Sequence, residues 1–456
     1  MKGWQRQLTV PQFTVISGLL VIVSGTLLLA TPLCSRPSVD LWEALFTATS
    51  AITVTGLSII DVGSELTLFG QMVLAALIIT GGLGLMAIST FLQGFVQGRS
   101  GLRQRIDQGR TLDEFGVGGI GSTFQAILAS ATALMLIGTV LLYSFGFRDI
   151  SNRGERLWAA MFHSISAFNN AGFSLWSDSL LSYQDNVVVC GVIAALVLAG
   201  GIGWRVLQDL WTNRRGPQHW RGLSLHSRIV LRSSALLVVT GTLLLLFTER
   251  LAPNGVMADL PLLRKAGLSM FQVISARTAG FVSVPLSQET VSHAGLFLLI
   301  LLMFVGASPG GTGGGIKTTT FAVLLCTTRS TLEDRNEVVI NRRRIPGKQV
   351  LRAVGITLAS AGVVVLMTLL LGLGQTGVGL LGEERFTFLE KLFTCVSAFA
   401  SVGFDLGITA RLDRWGQLVL LVGMFVGRLG ILLLLSALFG RRPPSRVRYP
   451  KEEIIL

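Results

Sequence analysis

Ser-Ala-Ile-Thr-Val-Thr-Gly-Leu at 50–57, Ser-Ala-Phe-Asn-Asn-Ala-Gly-Phe at 166–173, Ile-Ser-Ala-Arg-Thr-Ala-Gly-Phe at 274–281 and Ser-Ala-Phe-Ala-Ser-Val-Gly-Phe at 397–404 are four versions of one short segment. Their shared glycines, Gly56, Gly172, Gly280 and Gly403, lie 116, 108 and 123 residues apart. One such match carries little weight, but four at near-regular spacing identify an internal repeat.

Each segment follows a short amphipathic stretch, at 40–52, 155–168, 262–276 and 386–399. A helix of that length spans about 20 Å, which enters a bilayer without crossing it. Apolar blocks long enough to cross flank these stretches, near 12–33, 67–97, 123–147, 186–211, 226–248, 292–328, 349–374 and 416–440. The expected fold is therefore an all-α polytopic membrane protein of eight spans. Four membrane helix–pore helix–membrane helix repeats surround a central pore. The repeats cover 1–98, 99–213, 214–335 and 336–440, with a cytoplasmic tail at 441–456. Composition agrees. Half of the 456 residues are hydrophobic and 14% are charged, against about a quarter charged in soluble domains.

The net charge of +13 reads as topology rather than nucleic-acid binding, because the basic residues sit in breaks between apolar blocks. Arg99, Arg103, Arg105 and Arg110 join the first two repeats, and Arg214, Arg215, Arg221 and Arg228 the next two. Arg329, Arg335, Arg342, Arg343, Arg344, Lys348 and Arg352 form the third joint. With Lys2, Arg6 and the basic tail, this side holds most of the 38 basic residues, so both termini are expected in the cytoplasm of a plasma-type membrane. The first apolar run is read as a membrane helix and not a cleaved signal. Cys34, Cys190, Cys326 and Cys395 lack paired spacing and imply neither disulfide nor metal site. No His/Asp/Glu cluster or Ser-His pair recurs within a span, so no enzyme is expected.

Non-helical backbone at membrane depth persists only where it is buried in protein or lines a cavity. Four strands, Thr53-Val54-Thr55-Gly56, Asn169-Asn170-Ala171-Gly172, Arg277-Thr278-Ala279-Gly280 and Ala400-Ser401-Val402-Gly403, are the expected filter for a weakly hydrated monovalent cation. Glycine permits the positive φ that turns carbonyls towards one axis. The C-terminal ends of the short helices add negative potential there. Asp61, Asp178 and Asp405, just past the glycines, are either cation-concentrating groups or ordinary loop carboxylates. His163 is read as packing.

Gly306-Ala-Ser-Pro-Gly310-Gly311-Thr312-Gly313-Gly314-Gly315 interrupts the sixth span, and Ile316-Lys317 restarts it. Such a run cannot continue a helix and is expected to act as a gate beneath the filter. A phosphate-binding loop is excluded by Ile316, which separates Gly315 from Lys317. Arg205, Arg232, Arg277, Lys317 and Arg428 sit at membrane depth, where a charge needs a partner. Arg205 and Arg232 are read as structural and Arg277 as a brace for the filter. Two readings stand for Arg428: a gating residue near the unwound segment, or a structural pairing.

Taken together, the four filter segments, residues 306–320 and Gly427-Arg428-Leu429-Gly430 resemble the Trk/Ktr/HKT superfamily of potassium transporters. A first span starting near residue 12 is most similar to the Ktr-type membrane subunit. The resemblance implies potassium uptake, often sodium-stimulated, by a homodimer with one pore per protomer. It also implies a ring of cytoplasmic RCK subunits that carry the nucleotide, so this chain itself needs no cofactor. Within the superfamily, glycine in all four strands goes with potassium selectivity, whereas serine at the first goes with sodium preference. The glycine-heavy Gly310-Gly311-Thr312-Gly313 departs from the superfamily pattern and puts quantitative gating in doubt. Alternatives are a sodium-preferring or non-selective cation channel and, more distantly, a membrane assembly scaffold.

Overall fold

The computed structural model describes residues 10–36, 39–84, 120–213, 222–251, 256–257, 260–335, 337–374 and 386–439. The joint carrying Arg99, Arg103, Arg105 and Arg110, residues Arg214, Arg215 and Arg221, the first nine residues and the tail lie outside them.

Among the described residues, four helices are long and apolar enough to cross a membrane: α1 (Val10–Leu29), α4 (Ile120–Leu141, continued by a π turn over Leu142–Gly146), α8 (Leu225–Leu251) and α12 (Gly347–Gly374). Leucines and valines along them stand open, such as Leu20 (64% exposed), Val140 (61%), Leu243 (60%) and Leu358 (69%). Apolar side chains at this density, presented outward by whole helices, face lipid.

After each long helix comes a short one: α2 (Leu41–Ile52), α5 (Arg153–Phe168), α9 (Leu262–Ala276) and α13 (Phe388–Ala400). Local chemistry fixes where they start. Asp40 and Thr387 form capping boxes with Glu43 and Glu390, and Asn152 accepts from Gly154 N–H. The N-cap of α9 is Pro261. Each carries its acidic and basic residues (Asp, Glu, Lys, Arg) in its first half, and its last six residues are buried. These helices pack against the preceding long ones and fill the centre of the molecule.

The second members of the second and fourth pairs depart from the expected continuous spans. Helix α3 (Leu68–Gly82) has 15 residues, and the rest of the span expected to residue 97 lies outside the described residues. The span expected over 186–211 breaks into α6 (Val187–Ile202) and α7 (Trp204–Thr212), bent by 96°. That expected over 416–440 breaks into α14 (Arg414–Leu429) and α15 (Ile431–Phe439). The cause is glycine in left-handed backbone, Gly203 at φ +93° and Gly430 at φ +78°, where the helical φ reverses sign. The break expected within 292–328 is present, between α10 (His293–Phe304) and α11 (Thr318–Leu332). A two-stranded hairpin, Val339–Ile340 with Arg343–Arg344, turns through Asn341 and Arg342 and leads into α12.

Candidate functional site

The residues following the four short helices meet in a ring. A Cβ placed on Gly56 would lie 2.3 Å from the Ala171 carbonyl oxygen and 3.1 Å from Cα of Gly172. One on Gly172 would lie 2.8 Å from the Ala279 oxygen, and one on Gly280 2.3 Å from the Val402 oxygen. A Cβ on Gly403 would close the circuit, 2.3 Å from the Thr55 oxygen. Each glycine thus abuts the next strand in sequence order, leaving no room for a side chain. The carbonyl before each glycine belongs to the ring.

Backbone handedness repeats as well. All four glycines have positive φ, from +69° to +96°. So do the residues two before them: Val54 (φ 53°), Asn170 (58°), Thr278 (74°) and Ser401 (54°). Left-handed backbone costs a non-glycine residue about 1–2 kcal/mol, and β-branched Val54 and Thr278 are the least suited to it. Strain of this kind persists only where the surroundings over-determine it, which is characteristic of functional sites. Alternating left- and right-handed residues turns successive carbonyls to one side of the strand.

Thr53, Val54, Thr55, Asn169, Asn170, Ala171, Thr278, Ala279, Ala400, Ser401 and Val402 are all fully buried around this ring. Arg277 begins the third strand, but its side chain turns away. Its guanidinium, with 7% of the residue exposed, donates to the Ser234 carbonyl and hydroxyl on α8. It braces the strand from behind. The acidic residues cap turns: Asp61 accepts from Gly63 N–H, Asp178 from Ser182, and Asp405 from Ile408 and Thr409 N–H. His163 stacks on Trp176 with ring centroids 4.2 Å apart and bonds Ser174 Oγ, which is packing.

Residues 305–317 lie against the ring as an ordered loop. The loop closes on itself through Ala307 N–H to Gly314 O and Ile316 N–H to Phe304 O. It is laced to the α6 break by Ser308 N–H to Gly201 O and Thr312 N–H to Gly200 O. Thr312 Oγ1 donates to the Phe168 carbonyl and contacts Asn170 Oδ1, each at 3.2 Å. Asn170 in turn donates to Thr278 Oγ1 at 3.3 Å. A Cβ on Gly313 would strike Thr278 Oγ1, and one on Gly314 the Ala400 oxygen and Ser401 Oγ. The loop therefore touches the second, third and fourth strands. A Cβ on Gly306 would meet Gly314 O, and Gly310 and Gly315 take positive φ. Lys317 Nζ donates back to Gly313 O at 2.8 Å.

Arg428 joins this assembly from α14. Its guanidinium donates to Thr312 O in the loop and to Gly81 O near the end of α3. The bond to a carbonyl of the unwound segment is compatible with both sequence readings, gating residue and structural pairing.

Three further glycines complete the site: Gly81 and Gly200, which sequence reasoning passed over, and Gly427, noted there only beside Arg428. A Cβ on Gly81 would lie 2.1 Å from the Ile52 oxygen, on Gly200 1.8 Å from the Phe168 oxygen and on Gly427 1.7 Å from the Phe399 oxygen. Each of these carbonyls is four residues before a ring glycine, at the end of a short helix. The signal was present in Thr-Gly-Gly-Leu-Gly (80–84), Ala-Gly-Gly-Ile-Gly (199–203) and Val-Gly-Arg-Leu-Gly (426–430). In all three, a packed glycine precedes by three residues a glycine of positive φ: Gly84, Gly203 or Gly430.

Comparison with known proteins meets this geometry. The family model described as "TrkH: Cation transport protein" matches residues 7–440. The chain belongs to that family. TrkH-family membership makes it a multi-pass membrane cation transporter rather than an enzyme. Among curated relatives, it is 34% identical to the Ktr system potassium uptake protein B of Bacillus subtilis over 99% of this chain and 97% of that one. It is 35% identical to the protein of the same name from Vibrio alginolyticus, over 98% and 94%. It is 33% identical to the potassium/sodium uptake protein NtpJ of Enterococcus hirae, over 100% and 99%. The crystal structure of the potassium transporter TrkH from Vibrio parahaemolyticus superposes with a TM-score of 0.73 at 21% identity. That match covers 97% of this chain and 88% of the other, a likeness of fold.

Proposed function

We propose that this chain takes up potassium through the glycine ring, which acts as the selectivity filter, and that the loop at 306–316 is its gate. One observation carries the reading: the carbonyls of Thr55, Ala171, Ala279 and Val402 each abut the neighbouring strand's glycine in a closed circuit. Rings of carbonyl dipoles replace a cation's hydration shell, and the absence of side chains at the glycines leaves the backbone as ligand. Four short helices ending at the ring add the negative ends of their dipoles. No carboxylate belongs to the ring strands, which suits a monovalent ion better than a divalent one. The names of the relatives, potassium uptake proteins, support the choice of ion.

The finer reading follows the same family. Each span–short helix–span unit (1–98, 99–213, 214–335 and 336–440) supplies one quarter of the filter. The tail at 441–456 and both termini are cytoplasmic. The chain works as a homodimer, is stimulated by sodium and is controlled by a nucleotide-binding RCK ring. Several relatives are named as parts of a Ktr system, which supports a partner subunit, and NtpJ is named for sodium as well as potassium. Held by Arg428, Lys317 and the α6 break, the loop obstructs the path until it moves.

Growth of a potassium-uptake-deficient bacterium at low external potassium tests this. Rescue that needs an RCK partner, rises with sodium and weakens in Gly56→Ser is the expected outcome. Well-expressed, membrane-inserted protein giving no potassium flux with any partner would overturn selective potassium uptake.

A further inference from the structure

Each short helix carries a buried serine in its last turn: Ser50, Ser166, Ser275 and Ser397. A helical serine commonly bonds back to its own helix, yet these four hydroxyls reach forward to the ring strands. Ser50 Oγ accepts the N–H of Gly56, and Ser397 Oγ that of Gly403, both at 3.1 Å. Ser166 Oγ donates to the Phe173 carbonyl at 2.7 Å, and Ser275 Oγ to the Phe281 carbonyl at 2.6 Å. The set divides into two adjacent pairs around the ring.

The division has a geometric consequence. A trans peptide points its N–H and C=O in opposite directions. Holding Gly56 N–H back towards α2 therefore directs the Thr55 carbonyl away from that helix, to where it abuts Gly403. The same bond at Gly403 directs the Val402 carbonyl towards Gly280. In the second and third strands the serine bond falls beyond the glycine, on the Phe173 and Phe281 carbonyls. All four strands share a backbone tie to the same serine's carbonyl, from Thr55, Ala171, Ala279 and Val402 N–H, with Gly280 N–H adding a second in the third strand. The hydroxyl bond to the glycine N–H is therefore what sets the first and fourth apart.

We propose that Ser50 and Ser397 are positioning residues that aim the ring carbonyls of the first and fourth strands and so set discrimination among monovalent cations. The inference rests on the filter reading above and adds to it the side chains that hold the filter's shape. The hydroxyls are buried and the glycine amides half-buried, so losing the acceptor leaves an N–H unpaired and frees the peptide to rotate.

Uptake of potassium, rubidium and sodium into liposomes holding the full chain, with its partner where flux requires it, tests the proposal. The Ser50→Ala/Ser397→Ala variant is expected to lose about tenfold of potassium-over-sodium preference, ~1.4 kcal/mol of differential stabilisation. Ser50→Thr, which keeps a hydroxyl, restores the ratio in the Ser397-intact chain relative to Ser50→Ala. Ser24→Ala, whose hydroxyl bonds Val21 O within α1, keeps the wild-type ratio. Melting temperature and monodispersity establish folding, and Ser50→Cys replaces any alanine variant that does not fold. A folded double variant with the wild-type ratio, beside a collapsed ratio in Gly56→Ser, overturns this inference alone. An unchanged ratio in both overturns the filter reading with it.

Discussion

At the scale of single residues, the ring glycines are fixed by space as well as by conformation. Gly56 is at φ +88°, and an added Cβ would meet the Ala171 oxygen at 2.3 Å. Gly56→Ala is expected to add about 1–2 kcal/mol of backbone strain and to push that carbonyl outward. Ion competition in liposome flux checks the result, a loss of potassium preference on the order of tenfold. Arg428 sets a second expectation. Its guanidinium is the bolt between Thr312 O and Gly81 O, and Arg428→Gln shortens the reach to both. The expected outcome is a raised partner-independent leak, read as efflux from potassium-loaded vesicles. A variant as tight as the wild type would leave Arg428 a structural pairing. The shared glycine of each strand was legible in the sequence because glycine marks positive φ. The left-handed Val54 and Thr278 were not, since a β-branched residue gives no local sign that its surroundings will force it there.

At the scale of elements, glycine sets how closely the second spans approach the short helices. Gly200 and Gly427 lie against the Phe168 and Phe399 carbonyls with no room for a methyl group. Gly427→Ala is therefore an overpacking change, expected to destabilise by roughly 1–3 kcal/mol and to lower the melting temperature in detergent. Gly355→Ala on α12, where a Cβ meets nothing within 4 Å, is expected to leave it unchanged. The same comparison explains which elements the sequence disclosed. Helix α2 announced itself as the short amphipathic stretch at 40–52, and the break after α10 through its glycine run. The breaks at Gly203 and Gly430 were missed because glycine within an apolar block is tolerated in a helix, so hydropathy did not mark the Gly-x-x-Gly spacing that ends at each. Hydropathy alone joined what φ separates.

At the scale of the whole molecule, the all-α, multi-pass reading was carried by composition and by length of apolar block, both insensitive to local detail. What the sequence withheld was how the loop at 305–317 seats. Its partners, Gly200, Gly201 and Arg428, are more than 100 residues away in sequence, and only the closed ring brings them together. Shortening the loop by removing Gly310–Thr312 deletes the bonds of Thr312 to Gly200 and to Arg428 at once. Sustained potassium flux without a partner subunit is the expected outcome, measured in the same vesicles.

One consequence follows from the ring being closed by a single chain. Four separate but identical subunits would have to carry the same side chain at every corner, and any mutation would strike all corners together. Here the corners two residues before the glycines are Val54, Asn170, Thr278 and Ser401, and each has been free to drift under its own selection. Asn170, Thr278 and Ser401 touch the loop. A single chain with four different corners can give some of them contact with the loop without altering the others, a division of labour closed to a homotetramer.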